Sequence, residues 1–144
     1  MRHLFFTATC LFLALPSWAL AAEKLPDPVS VKVLRIIDGD TITVQVHVRL
    51  GTYRKRNVSL DGIDIPKFEG ECAAERELAE KAKAYLENAI GGARVTLNNI
   101  HTQEDTDRLL ARVELHDGTD LSDALIYAGL GRPSEDGSPD VWCK

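Results

Sequence analysis

A chain of 144 residues with 44% hydrophobic content has room for one domain with a modest core and not for two. Its formal charge of −5, from 17 Lys and Arg against 22 Asp and Glu, excludes a binder that holds nucleic acid by overall positive charge. Phosphate contact would need a local basic patch or a bridging cation.

The first residues read as an export leader. Arg2 and His3 form a short basic start, Leu4 to Pro16 is apolar, and Ala19-Leu20-Ala21 has the small-x-small form of a signal-peptidase site. Residues 1–21 are therefore predicted to be a signal peptide, cut after Ala21 or Ala22, and the mature chain to be periplasmic or secreted. The apolar run is short for a bilayer span, so no stable membrane association is expected after cleavage. Cleavage removes Arg2, Cys10 and Trp18, which takes the formal charge to −6 (16 basic against 22 acidic). Cys72 and Cys143 remain. An even pair in an exported chain predicts a disulfide, which closes a loop long enough to stabilise the fold by about 4 kcal/mol.

Residues 22–30 are polar with two prolines and read as an exposed lead-in to a domain at 31–144. Val31 to Ile37 is β-branched and roughly alternating, as in a strand. Thr41 to Val48 alternates Ile and Val with polar residues, the period of a half-buried strand. Gly51-Thr52 marks a hairpin, and Arg54 to Leu60 returns as a third strand. From Cys72 to Ile90 the period becomes helical, with Ala74, Leu78, Ala82, Tyr85, Leu86 and Ala89 as the apolar face and Gly91-Gly92 as the stop. Arg94 to Ile100 and Arg108 to His116 are predicted strands, with a polar loop from His101 to Asp107 between them. Asp120 and Asp123 resemble a capping box for a short helix that ends at Gly129. Five strands with one helix between the third and fourth is the order of an OB-fold, an α+β barrel with a second, short helix at its C-terminal end.

The chemistry concentrates in two acid turns. In Ile36-Ile37-Asp38-Gly39-Asp40-Thr41-Ile42, the two carboxylates sit two residues apart and share a face if the backbone stays extended. Asp61-Gly62-Ile63-Asp64-Ile65-Pro66 is the second turn, and Asp40 with Asp64 reads as one site built by folding the two together. Asp-Gly is also ordinary turn chemistry, which remains the plainer reading of Asp61-Gly62. His47, His101 and His116 are dispersed and read as surface residues. The basic run Arg49, Arg54, Lys55, Arg56 flanks the hairpin, either as a solvated edge that discourages strand pairing or as a phosphate contact.

These motifs carry a resemblance. Ile37-Asp38-Gly39-Asp40-Thr41, Gly62-Ile63-Asp64-Ile65-Pro66, Arg108-Leu109-Leu110-Ala111, Gly118-Thr119-Asp120-Leu121 and Ala128-Gly129-Leu130 look like the staphylococcal nuclease (thermonuclease) family, from about Val31 to about Arg132. The tail, with Gly131-Arg132-Pro133 and Trp142-Cys143, resembles short exported bacterial members. The resemblance implies Ca2+ held by Asp40, Asp64 and the backbone carbonyl of Ile65, with Asp38 behind them. Ligand type alone also admits Mg2+ or Mn2+. It implies Arg108 as a clamp on the scissile phosphate, and nucleic acid as the partner of a monomer.

Two departures from the family pattern stand out. The position of a second clamping arginine is Ser59, and that of the water-activating glutamate is Lys67. Glu69 could swing towards the metal in place of the missing base, and Lys67 could meet a phosphate as a point charge. Arg56 lies three residues before Ser59 and so falls on the opposite strand face unless a bulge intervenes. The expectation is a metal-dependent nuclease for single-stranded or open nucleic acid, weakened by Ser59 and Lys67. The alternative is a catalytically inactive OB-fold module that binds nucleic acid, glycan or protein.

Overall fold

The computed structural model describes residues 25–49, 51–103, 108–134 and 142–143. The predicted leader with its cleavage site, residues 104–107 of the predicted loop and residues 135–141 of the tail lie outside the described residues.

The chain runs β1 (Val29–Ile36), β2 (Thr41–Arg49), β3 (Thr52–Leu60), β4 (Ile63–Asp64), α1 (Ala73–Ile90), β5 (Arg94–Thr102), β6 (Leu109–Glu114), α2 (Leu121–Tyr127) and β7 (Arg132–Pro133). Five strands close a barrel in the order β1-β2-β3-β6-β5, and β4 and β7 form a separate two-stranded ladder. The β1–β2, β2–β3, β5–β6 and β1–β5 pairs are antiparallel, whereas β3 and β6 run parallel. Parallel neighbours need a long crossover, and α1 with β5 supplies it. The predicted OB-type α+β barrel is thus the observed one, with a short extra ladder.

Alternation decides which side of each strand faces the core. Ile42, Val44 and Val46 of β2 are fully buried inside the barrel, as are Ala111 and Val113 of β6, while Thr43, Gln45, His47, Arg112 and Glu114 take the other side. Each such buried Val, Leu or Ile is worth roughly 1.5–3 kcal/mol over an exposed one. Helix α1 covers one end of the barrel with Ala79, Ala82, Leu86 and Ile90. Its core face is rotated from the predicted one, because Ala74 and Ala89 are exposed. Alanine fits either face of a helix, so it carries little information on phase.

The ends of α1 are fixed by local chemistry. The Cys72 sulfur accepts the Glu75 amide at 3.4 Å, and Gly91 stops the helix in the left-handed region at φ 55°. In α2 only half of the predicted capping box forms. Asp120 accepts the Asp123 amide at 3.1 Å, but the Asp123 carboxylate turns instead to Arg112 at 2.9 Å. The lead-in is more tightly held than expected, since Asp27 accepts the amides of Asn99 and Ile100 at the β5 irregularity. Cys72 and Cys143 form the predicted disulfide, with Cα atoms 5.7 Å apart. Among the described residues, no helix is long and apolar enough to cross a membrane.

Candidate active site

The first acid turn is a bend, so the extended backbone that would put Asp38 and Asp40 on one strand face does not form there. Asp38 Oδ1 accepts the amides of Asp40 at 3.2 Å and Thr41 at 2.8 Å, so its carboxylate closes the turn. Gly39 is needed for space. A Cβ there would come within 2.7 Å of the Ala82 Cβ and 2.8 Å of Ile65 Cδ1. Two small residues, Gly39 and Ala82, therefore let α1 press directly on the turn. The Leu60 amide donates to the Asp40 carbonyl at 2.7 Å and ties the same turn to the end of β3.

Asp40 receives a relay of hydroxyls. The Thr41 hydroxyl donates to Asp40 Oδ1 at 2.7 Å and sits 3.1 Å from the Ser59 hydroxyl. With the threonine proton committed to Asp40, Ser59 is the donor to Thr41. Burial pushes the Asp40 carboxyl up to about 6, assisted by a hydrogen bond with Asp38 and by its charge; Thr41 and the Arg108 charge pull in the other direction.

The second acid turn carries Asp64 on β4, opposite Arg132 on β7. Arg132 Nε and Nη2 both donate to Asp64 Oδ2, at 2.9 and 2.7 Å. Among the described residues, its buried Nη1 has no hydrogen-bond partner. The guanidinium lies 5.8 Å from the centre of the Trp142 ring, next to the disulfide at Cys143. The tail thus braces the arginine that braces Asp64.

The two turns meet. Asp38, Asp40, Asp64, Ile65, Lys67, Glu69 and Arg108 line one open cavity of about 380 Å³, with Phe68 at its wall. A second cavity of about 340 Å³ adjoins it through Asp64, Ile65, Lys67 and Glu69, and is walled by Arg132 and Trp142. Ser59 is the predicted site residue that the cavity leaves out. It is 3% exposed and faces Thr41. Arg56 is no substitute clamp. The β2–β3 register runs unbroken from Ser59 to Tyr53, so Arg56 stays on the face opposite Ser59. Sequence reasoning overlooked Thr41, whose signal was its place beside Asp40. It also overlooked the Arg132–Asp64 pair, for which a separation of 68 residues leaves no local signal.

The family model for staphylococcal nuclease homologues matches residues 57–139, more than half of the chain. The chain belongs to the staphylococcal nuclease homologue family. The family match takes in the second acid turn, α1, Arg108 and Arg132; the first acid turn precedes it and joins the site through the barrel. No curated protein matches the chain.

Proposed function

We propose that the protein is a weakened, metal-dependent phosphodiester hydrolase acting on single-stranded or open nucleic acid. The observation that carries this is the convergence of carboxylates from two separate turns with Arg108 on one open cavity, in a chain of nuclease-family fold. The donor set fits a hard cation. Asp40, Asp64 and the Ile65 carbonyl offer oxygen, one Asp64 oxygen is committed to Arg132, and among the described residues no His or Cys lines that wall. Ca2+ suits such a set best, and Mg2+ or Mn2+ share its ligand chemistry. A bound cation would neutralise charge that gathers on the phosphate oxygens during cleavage.

In this reading Asp38 holds Asp40 in place, and the hydroxyls of Thr41 and Ser59 keep the Asp40 carboxylate oriented towards the cavity. Arg108 binds the scissile phosphate, Lys67 adds a point charge, and Glu69 or water stands in for the missing base. The weakness follows from Ser59 and Lys67. A clamping arginine is worth about 10³–10⁵ in rate and a positioned base roughly 10²–10⁴. The burial of Ser59 and the engagement of Asp64 by Arg132 favour a second reading, an inactive binding module on the same barrel. For either, cleavage of the leader at 1–21 would deliver a mature monomer, the lead-in at 22–30 followed by the domain at 31–144, to the periplasm or the exterior.

Digestion of single-stranded DNA by the purified mature protein separates the two. The hydrolase reading expects cleavage in Ca2+ that stops with chelator and in Asp40→Ala. A silent parent, made active by Lys67→Glu alone or with Ser59→Arg, supports the binding module.

A further inference from the structure

The acidic chain hides a segregated charge pattern. Strands β1, β2, β3 and β5 carry Lys32, Arg35, Arg49, Arg54, Lys55, Arg56 and Arg94, and not one Asp or Glu. Register lays several of these on one face. Arg94 pairs with Lys32, Lys32 with Gln45, and Gln45 with Lys55, which makes a row across four strands. This face is the outer one, because the intervening Val31, Val33, Val44 and Val46 fill the barrel. One row nearer the acid turns stand Arg35, Thr43 and Asn57, and beyond them the buried pair Thr41 and Ser59, next to Asp40. One row farther out, His47 and Tyr53 form an edge-on ring pair with centroids 5.1 Å apart, and Tyr53 is 58% exposed. A shallow cavity of about 220 Å³ opens between Lys32, Arg94, His47 and Tyr53.

The geometry points to an extended single-strand binding track on this face, leading from the His47–Tyr53 pair to the acid-turn cavity. Among the described residues, Lys32, Arg35, Lys55 and Arg94 are in no ion pair, so their charges remain available to an anion. Arg94 is held in place through Ser30, to whose hydroxyl and carbonyl it donates at 3.3 and 2.9 Å. Glu114, opposite Thr96, borders the face on the β6 side and marks its limit. From Tyr53 to Ser59 the strand rises about 20 Å, at roughly 3.4 Å per residue. That length accommodates several nucleotides of an extended strand. Cations spaced along a sheet face with an exposed ring pair at one end are what a single strand requires, since phosphates need charge and unpaired bases need a stacking partner. A sulfated glycan or polyphosphate would use the same cations but has no base for Tyr53.

The track deepens the nucleic-acid reading above but is tested by binding, without cleavage. The probe is fluorescein-labelled oligothymidylate of about 12 nucleotides, within the site sizes usual for such barrels, in chelator. Anisotropy is read against salt for the wild type, for Lys32→Ala/Lys55→Ala/Arg94→Ala, for Tyr53→Ala and for the helix control Lys81→Ala, with thermal melts confirming folded protein. Removing each engaged cation should lower the salt slope by about 1. Tyr53→Ala should weaken binding about fivefold or more at an almost unchanged slope, and Lys81→Ala should change neither. Wild-type binding that the triple variant retains, or no binding by the wild type, overturns the track. So does an inorganic polyphosphate competitor of equal charge that matches the oligonucleotide while Tyr53→Ala has no effect. Cleavage of single-stranded DNA in Ca2+, lost in Asp40→Ala, decides the hydrolase reading separately.

Discussion

Between pH 4 and pH 7 Asp40 changes what it contributes to the fold. Its carboxyl titrates near 6 in the native state against 3.8 in the reference state. The folded protein therefore binds the extra proton. The associated stability is fully present below about pH 4 and is lost as pH rises through 6. Asp40→Asn mimics the protonated acid and can still accept from Thr41. In chelator, the unfolding free energy of this variant relative to wild type should rise between pH 4 and pH 7, by on the order of 3 kcal/mol. A pH-independent difference in urea melts would contradict the assigned burial. Ser59 supports the Thr41 hydroxyl that donates to Asp40. Ser59→Ala should cost about 1 kcal/mol, because the buried Thr41 hydroxyl loses its donor. At this scale the sequence revealed the acids and the missing clamp. It did not reveal that the serine in the clamp's place had become an internal donor, which depends on Thr41 and Ser59 meeting across β2 and β3.

At the scale of elements, α1 sets the position of the first acid turn through the Gly39–Ala82 contact. Gly39→Ala should overpack that contact and cost about 1–3 kcal/mol, read as a lower urea midpoint at unchanged slope. The strands were legible because Ile42, Val44 and Val46 alternate cleanly with Thr43, Gln45 and His47. The core face of α1 was less so, since Ala74 and Ala89 were as plausible as Ala79 and Ala82 until the barrel chose. The β4–β7 ladder has two residues a side and no period to read. That ladder presents Arg132 to Asp64, and the disulfide carries Trp142 to Arg132. Replacing both Cys72 and Cys143 by Ser should lower stability by about 4 kcal/mol in the chain-entropy view, measured by denaturant unfolding.

For the whole molecule, net charge misleads. The acids gather in the turns, along α1 and towards the tail, while one side of the barrel is left purely basic. The sum of −5 hides a sheet face suited to a polyanion beside a cavity suited to a cation. The basic run at the hairpin, from which Lys55 joins this face, was visible in sequence. Its extension through Lys32 and Arg94 was not, because register alone aligns residues from four strands. The proposed hydrolase rests on carboxylates of two turns sharing one cation. Calorimetric titration of the mature protein with CaCl2 at pH 7.5 tests that most directly. The account predicts a single Ca2+ site per chain, weakened at least tenfold in Asp40→Ala and again in Asp64→Ala. Absence of binding in the wild type, or binding that both variants keep, would contradict it.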